Sequence, residues 1–175
     1  MKLERMTFKN LLKHYKKHIL IFILIALPGL ILPSKLVFSY GNSVKSVIFW
    51  KVKETPGIDR YVVVKTDSNN KYTKGRNIVK KVACMGGDYL LVTVDKDYYC
   101  IHNGQIKHIG KAKDKDKKGD DVTNFVPCEE KDKLCRYLIP YGNYFVVGEH
   151  KDSYDSKYMG FIDEKNIITV VYPVI

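Results

Sequence analysis

Residues 148–161 read GEHKDSYDSKYMGF, and this stretch decides how the rest of the chain is interpreted. It concentrates charged and hydroxyl side chains between two apolar runs, Tyr144–Val147 and Ile167–Val171, which are typical of strands. Strand ends and the loops between strands are where a rigid scaffold usually displays functional side chains. The pattern therefore predicts a polar functional loop held between two strands near the C-terminus.

Short apolar runs separated by turn residues continue upstream and predict a mostly β domain. His102-Asn103-Gly104-Gln105 is typical of a two-residue hairpin turn. Lys111–Asp121 is nearly all Lys, Asp and Gly, which predicts a solvated loop. Many short strands with regular turns favour a β-barrel or sandwich. The further predicted strands are Val47–Val52, Arg60–Val64, Ile78–Ala83, Tyr89–Val94, Tyr98–Ile101 and Tyr137–Ile139.

The N-terminal region predicts one transmembrane helix. Residues 1–18 carry six basic residues and one acidic residue, so they supply five of the eleven net positive charges. The apolar segment that follows, assigned to residues 19–38, approaches the length that a bilayer core requires. Because basic flanks stay on the cytoplasmic side, residues 1–18 are predicted to be cytoplasmic and residues 39–175 to form an extracytoplasmic domain. A cleaved signal peptide is the alternative, although no clear cleavage site of small residues follows the segment.

The remaining composition bears on partners and cofactors. The adjoining apolar segment explains the basic residues 1–18, so membrane lipid is predicted as a partner. Nucleic acid is not predicted as a partner, because the sequence has no motif for nucleic-acid recognition. Four cysteines fit an extracytoplasmic protein. Cys128 and Cys135 bracket a polar loop and are suspected to form a disulfide, whereas Cys84 and Cys100 are predicted to be buried thiols. No metal or other cofactor is predicted, because no cysteine and histidine spacing suits a metal.

The C-terminal stretch resembles the last conserved box of the type I signal peptidases, GDNR…S-x-DSR-Y-x-G. Lys157 stands where arginine is usual, and Glu149 stands where aspartate is usual. The matching positions are Ser153, Asp155, Ser156, Lys157, Tyr158 and Gly160. Residues 77–88, NIVKKVACMGGD, resemble a second box of that family, I-K-R-V-x-G-x-P-G-D, and place Lys80 at its general-base lysine.

A third string, YGNSVKSVIFW at residues 40–50, is similar to the nucleophile box G-x-S-M-x-P-T-L and places Ser43 at the nucleophile. It is still more similar to the corresponding string of the TraF-type peptidases of conjugative transfer. The segment Ile109–Gly119 also resembles an insertion that occurs in TraF-type members. Lys45 and Ser46 stand where one branch or the other has proline, so Ser46 is a competing nucleophile.

The resemblance implies a serine endopeptidase with a Ser43/Lys80 dyad and an acyl-enzyme intermediate. Ser153 would orient the Lys80 amine, Asp155 would pair with Lys157, and the Ser43 backbone N–H would contribute to the oxyanion hole. A lysine acts as a base near pH 7 only when its pKa is depressed, and burial among apolar neighbours does this. Since side chains alternate along a strand, Lys80 can be buried while Lys81 stays solvated.

Taken singly, these residues have ordinary structural interpretations. Ser43 could be an ordinary turn serine, and Lys80 could be a lysine on the exposed face of a strand. Asp155 and Lys157 could form an ordinary exposed ion pair. Their joint order and spacing favour the catalytic interpretation.

The resemblance further implies processing of exported precursors such as pilins for a conjugation or type IV secretion system, by a single-pass protein of the inner membrane. Some TraF-type members join the new ends into a cyclic product, so a transpeptidase activity is included. Two alternatives remain open: a general housekeeping signal peptidase I, and a catalytically inactive, membrane-anchored scaffold of a secretion apparatus.

Overall fold

The computed structural model describes residues 15, 16, 18, 20–22, 24, 26, 33–41, 43–128 and 134–175. The chain divides into two compact units, the first ending at Leu36 and the second running from Val37 to Ile175. The described residues between 15 and 35 are helical, and none of the helices in the described part of the chain is both long and apolar enough to cross a bilayer. Residues 19, 23, 25 and 27–32 of the predicted anchor lie outside the described residues.

The prediction of a mostly β domain is confirmed. The described residues form eleven strands, a four-residue helix α1 between β9 and β10, and a 3-10 helix between β10 and β11. The strands are β1 (Leu36–Phe38), β2 (Ile48–Val52), β3 (Tyr61–Val64), β4 (Ile78–Met85), β5 (Tyr89–Thr93), β6 (Asp97–His102), β7 (Gln105–Lys111), β8 (Leu134–Leu138), β9 (Asn143–Val147), β10 (Ile162–Asp163) and β11 (Ile167–Pro173). Helix α1 is Ser156–Met159, and the 3-10 helix is Glu164–Asn166.

The strands form two sheets. A seven-stranded sheet has the order β1-β2-β11-β3-β4-β9-β10, and a four-stranded sheet has the order β7-β6-β5-β8. Strand β4 lies inside the larger sheet, antiparallel to β3 with Val62 opposite Lys80, and antiparallel to β9 with Lys81 opposite Val147. Both neighbours of β4 are rich in buried apolar residues, so a side chain at position 80 is surrounded by apolar strands.

Apolar side chains hold the sheets together. Val62, Val64, Val82 and Val146 are fully buried in one cluster of the larger sheet. A second cluster joins both sheets, because Phe145 of β9 packs there with Leu90 of β5 and Tyr98 of β6. Burial of one such side chain is worth roughly 1.5–3 kcal/mol, so these clusters dominate the stability of the domain.

Both pairs of cysteines form disulfides. The suspected bond between Cys128 and Cys135 is present, with a Cα–Cα distance of 5.5 Å. The prediction of buried thiols at Cys84 and Cys100 was wrong, because these residues are bonded to each other with a Cα–Cα distance of 5.6 Å. Cys84 lies on β4 and Cys100 on β6, and their side chains meet in the shared core between the two sheets. A sequence pattern does not reveal which strands of two sheets face each other.

The strand predictions missed β1, β7 and β10. The hairpin turn at Asn103-Gly104 is present, with positive φ angles of 49° and 77° that suit these residue types. The strand that follows it, β7, lies at a sheet edge with mostly exposed side chains, so it lacks alternating apolar residues. Strand β1 lies within the segment assigned to the membrane anchor, where its apolar residues matched a helix equally well.

Candidate functional site

The site is built around Lys80 in the middle of β4. The Lys80 residue is 1% exposed, whereas the next side chain, that of Lys81, is 31% exposed and lies 3.1 Å from a carboxylate oxygen of Asp59. The two lysines therefore point to opposite faces of the sheet, as the alternation of a strand predicts.

The Lys80 amine lies against a polar partner, the hydroxyl of Ser153. The Nζ atom donates to Ser153 Oγ at 2.6 Å, and Ser153 is itself buried. Burial lowers the pKa of Lys80 to about 8, because it removes water from the charged form. The Asp155 carboxylate opposes this change, and the Lys157 ammonium adds to it. A change of this size corresponds to roughly 3 kcal/mol against the protonated form.

Ser153 is held in place by the close approach of Gly148. A Cβ atom on Gly148 would collide with the Ser153 side chain and would lie 2.9 Å from the Ser43 carbonyl oxygen. Ser43, Gly148 and Ser153 therefore converge at one point beside the Lys80 amine. Only glycine fits there, because the space for a side chain is already filled.

Ser43 is half-buried, and its backbone makes the contact that joins it to the site. Its carbonyl oxygen accepts a hydrogen bond from Glu149 N at 2.7 Å. Among the described residues, no hydrogen bond joins the Ser43 hydroxyl to the Lys80 amine. Ser46, the competing nucleophile, is also half-buried, but the backbone contacts to the 148–150 segment are made by Ser43 and Lys45.

Glu149 clamps the segment that carries Ser43. Its Oε2 atom accepts from Lys45 N at 2.7 Å, and its Oε1 atom accepts from the Tyr61 hydroxyl at 3.0 Å. Burial, reinforced by the Glu149 carboxylate, raises the pKa of Tyr61 to about 12. A cavity of about 290 Å³ lined by Val44, Lys45, Glu149 and His150 adjoins this clamp.

Asp155 organises the other side of the site. This carboxylate is fully buried, and its Oδ2 atom accepts from Gly148 N at 2.9 Å and from Lys157 Nζ at 2.8 Å. Its Oδ1 atom accepts from Lys157 N at 3.2 Å, which caps helix α1. The pairing of Asp155 with Lys157 is present. Both side chains are buried, however, so this is not the ordinary exposed ion pair that the two residues suggest when taken alone. An ion pair with several backbone hydrogen bonds in a dry setting fixes geometry more firmly than an exposed one.

The structure therefore gathers Ser43, Lys80, Ser153, Asp155 and Lys157 around the Gly148 backbone. Sequence reasoning missed the contacts made by Glu149 and Tyr61. Glu149 could have been found, since it occupies the aspartate position of the last box, but no local signal in the sequence links Tyr61 to it.

One group of potential metal ligands is present, but its chemistry does not suit a metal ion. Within the described residues, one group has the proximity that a metal would need, Cys84 with Asp88 and Cys100. The two sulfurs of that group are joined in a disulfide and therefore cannot act as thiolate ligands.

Comparison with known proteins adds independent information. Residues 16–175 match the model of the family described as signal peptidase, peptidase S26. A signal peptidase I from Haemophilus influenzae is 49% identical over 37 residues, which are 21% of this chain and 11% of that protein. A crystal structure of a signal peptidase I from Enterococcus faecalis V583 is 19% identical, with 68% of this chain and 98% of that chain covered and a TM-score of 0.42.

The curated relative is matched over only a small part of its length, whereas the family match covers nearly all of this chain, from residue 16 to its last residue. That match includes every residue gathered around the Lys80 amine. The chain belongs to the signal peptidase family, peptidase S26.

Proposed function

We propose that this protein is a serine endopeptidase that cleaves exported precursor proteins, with Ser43 as nucleophile and Lys80 as general base. The observation that carries the proposal is the Lys80 amine, which is 1% exposed, has its pKa lowered to about 8 and is hydrogen-bonded to Ser153 at 2.6 Å. A buried lysine with a depressed pKa is costly to maintain, and such groups are concentrated at functional sites.

In the proposed reaction, the Ser43 Oγ atom attacks the scissile carbonyl carbon while its proton passes to Lys80 Nζ. The carbon–nitrogen bond then breaks, and Lys80 gives the proton to the leaving amine. A water molecule, deprotonated by Lys80, next attacks the ester and releases Ser43. In this proposal the Ser43 hydroxyl and the Lys80 amine come into hydrogen-bond contact when substrate binds, as catalytic groups often do.

The supporting groups act through these two residues. The Ser153 hydroxyl holds the amine, and the Asp155–Lys157 pair holds the backbone of Gly148, against which Ser43 and Ser153 both lie. The Ser43 backbone N–H contributes to the oxyanion hole in this proposal. Ser43 is preferred over Ser46 because its carbonyl is bonded to Glu149 N, next to Gly148.

The proposed setting is the outer face of the inner membrane, with residues 19–38 as a single anchor and residues 1–18 in the cytoplasm. The apolar segment and its basic flank support this placement. A nucleophile a few residues beyond the anchor would meet precursors that are cut at the end of an apolar segment.

Within the family, the TraF-type branch is the preferred assignment, which makes pilins or other substrates of conjugation or type IV secretion the expected precursors. The nucleophile string at residues 40–50 and the insertion Ile109–Gly119 support it. An acyl-enzyme can also be attacked by an amine, so cyclisation of a substrate is consistent with the same chemistry.

The test is processing of a candidate precursor by the full-length protein in membranes. Ser43→Ala and Lys80→Ala are expected to abolish cleavage, while the matched control Lys81→Ala retains it, because Lys81 lies on the opposite face of β4. The mass of the product separates hydrolysis, which adds one water, from cyclisation, which adds none. Normal processing by Lys80→Ala would overturn the proposal and favour a scaffold.

A further inference from the structure

A second and larger cavity is lined in part by Ser153, the hydrogen-bond partner of Lys80. It has a volume of about 420 Å³, and we name it the tyrosine cavity after Tyr72, Tyr154 and Tyr158 in its wall. Ser153 contributes to this wall, and its hydroxyl oxygen accepts the hydrogen bond from the Lys80 amine already described. The cavity therefore reaches to within one residue of the Lys80 amine. Its remaining lining residues are Lys71, Lys113, Lys115, Asp116, Lys117, Lys118, Asp120, Val122 and Asp152.

The three tyrosines form a stacked wall. The ring centroids of Tyr72 and Tyr154 are 4.3 Å apart, and those of Tyr154 and Tyr158 are 5.5 Å apart with nearly parallel planes. Each ring is fixed at its hydroxyl end by a neighbour in another loop. The Tyr72 hydroxyl donates to Asp116 at 3.3 Å, for example, which ties the insertion to the 67–76 segment. The wall is therefore assembled before any ligand arrives.

Two of these hydroxyl groups are positioned to donate into the cavity. The Tyr154 hydroxyl oxygen accepts from Asn70 Nδ2 at 3.1 Å, and the Tyr158 hydroxyl oxygen accepts from Lys113 N at 2.9 Å. A tyrosine hydroxyl carries one proton besides its acceptor lone pairs. Since both oxygens already accept from N–H donors, their protons remain available for an acceptor on a ligand.

The charged groups of the cavity leave an excess of positive charge. Asp152 is paired with Lys113 at 2.5 Å and Lys117 at 3.6 Å, and Asp120 is paired with Lys71 at 3.7 Å. Asp116 accepts from the backbone N–H groups of residues 118 and 120.

In the described part of the chain, the Lys115 and Lys118 ammonium groups form no ion pair, and both residues are exposed. The cavity thus offers two unneutralised ammonium groups and two hydroxyl donors, and its carboxylates are already engaged. A ligand carboxylate satisfies all of these donors, and the apolar stem of an acidic side chain packs on the tyrosine rings.

We infer that the tyrosine cavity binds a carboxylate of the polypeptide substrate and so sets a preference for acidic substrates next to the scissile bond. This inference rests on the proposed function, since it takes the ligand to be the chain that Ser43 cleaves. The carboxylate can belong to an Asp or Glu side chain or to the end of a polypeptide, and the experiment separates these two sources.

The binding experiment uses the full-length Ser43→Ala protein in detergent micelles and fluorescein-labelled, alanine-rich peptides. One peptide carries a single Glu and a C-terminal amide, a second carries Gln and a free C-terminal carboxylate, and a third carries neither carboxylate. We expect one of the first two peptides to bind about tenfold more tightly than the third, the scale of one charge-assisted hydrogen bond. Measured by fluorescence anisotropy, that preference should vanish in Lys115→Glu/Lys118→Glu.

Matched controls separate the cavity from general charge. Lys53→Glu/Lys65→Glu makes the same charge change at two exposed lysines outside the cavity, and the preference should persist there. Tyr154→Phe/Tyr158→Phe keeps the stacked rings and removes both hydroxyl donors. It should therefore weaken the binding of the carboxylate peptide more than that of the peptide without a carboxylate. Equal binding of all three peptides would overturn the inference. An equal loss of the carboxylate preference in both double lysine variants would overturn it as well.

Cleavage by the unmodified protein tests the proposed function separately. Ser43-dependent processing without any carboxylate preference in the binding experiment would reject the cavity inference and leave the peptidase intact. Carboxylate binding that requires Lys115 and Lys118, with no Ser43-dependent processing, would reject the peptidase and leave a peptide-binding site.

Discussion

The Lys80 amine donates to the Ser153 hydroxyl at 2.6 Å in a site where both residues are buried. The bond does two things at once, because it supplies the amine with a polar partner in an apolar setting and fixes its direction. We expect Ser153→Ala to lower kcat roughly 10- to 100-fold with a smaller effect on KM, because the base loses its orientation. Steady-state kinetics on a precursor peptide measure this effect.

A suitable control for that variant is Ser156→Ala, since the Ser156 hydroxyl accepts from Val146 N at 2.9 Å and has no contact with the amine. A kcat for Ser153→Ala equal to that of Ser156→Ala would contradict a positioning role for Ser153.

The buried lysine should carry a measurable cost in stability. Because its folded pKa is near 8 and its unfolded pKa near 10.5, the unfolded chain binds more protons between these values, so this group makes stability rise with pH across that window. Below pH 8 the cost is fully present. We therefore expect Lys80→Met to be more stable than the unmodified protein at pH 7, by up to about 3 kcal/mol, with the difference shrinking towards pH 10.

Urea denaturation followed by the fluorescence of Trp50, the single tryptophan of the chain, measures this difference. A stability difference that is independent of pH between 7 and 10 would show that Lys80 titrates normally in the folded protein.

The Glu149 carboxylate should be needed to hold the Ser43 segment. Glu149→Gln keeps the size of the side chain but removes its charge and replaces one of its two acceptor oxygens with a donor, so the backbone N–H of Lys45 and the Tyr61 hydroxyl can no longer both donate to a carboxylate. We expect kcat to fall about tenfold and the pKa of Tyr61 to drop from about 12, since its anionic neighbour is lost. Ultraviolet titration of the phenols, with Tyr61→Phe used for assignment, measures the second effect.

The matched control for this variant is Glu54→Gln. Glu54 also accepts from a tyrosine hydroxyl, that of Tyr172 at 2.8 Å, but it lies away from Ser43. If Glu54→Gln and Glu149→Gln had the same kcat, the clamp would have no part in catalysis.

The two disulfides should differ in their contribution to stability. The bond between Cys84 and Cys100 closes a separation of 16 residues and links the two sheets, whereas the bond between Cys128 and Cys135 closes a separation of 7. Loop-closure entropy gives losses of about 3 and about 2 kcal/mol when each pair is replaced by alanine. Thermal unfolding of the two double variants shows which disulfide contributes more to stability. A larger loss of stability on removing the Cys128–Cys135 bond would contradict the entropic explanation.

The sequence predicted those parts of the fold whose signal is local. Short apolar runs located β4 and β9, and Asn103-Gly104 located the hairpin, because strands and turns are encoded by neighbouring residues. The pairing of Cys84 with Cys100 was missed, since it depends on how two sheets face each other.

The sequence boxes singled out Lys80, Ser153 and Asp155, which the structure brings together, and their catalytic roles stay predictions. The Glu149 clamp was missed, because it depends on Tyr61 of β3, 88 positions away along the chain. The tyrosine cavity likewise unites three loops, and one of them, Lys111–Asp121, has a composition that indicates only a solvated segment.

The most direct test of the account is the pKa of the Lys80 amine itself, measured by NMR titration of the full-length protein with isotope-labelled lysine and assigned with Lys80→Arg. We predict a lysine resonance that titrates near pH 8 and that is lost in Lys80→Arg. A Lys80 resonance that titrates near 10.4, the value of lysine in water, would contradict it.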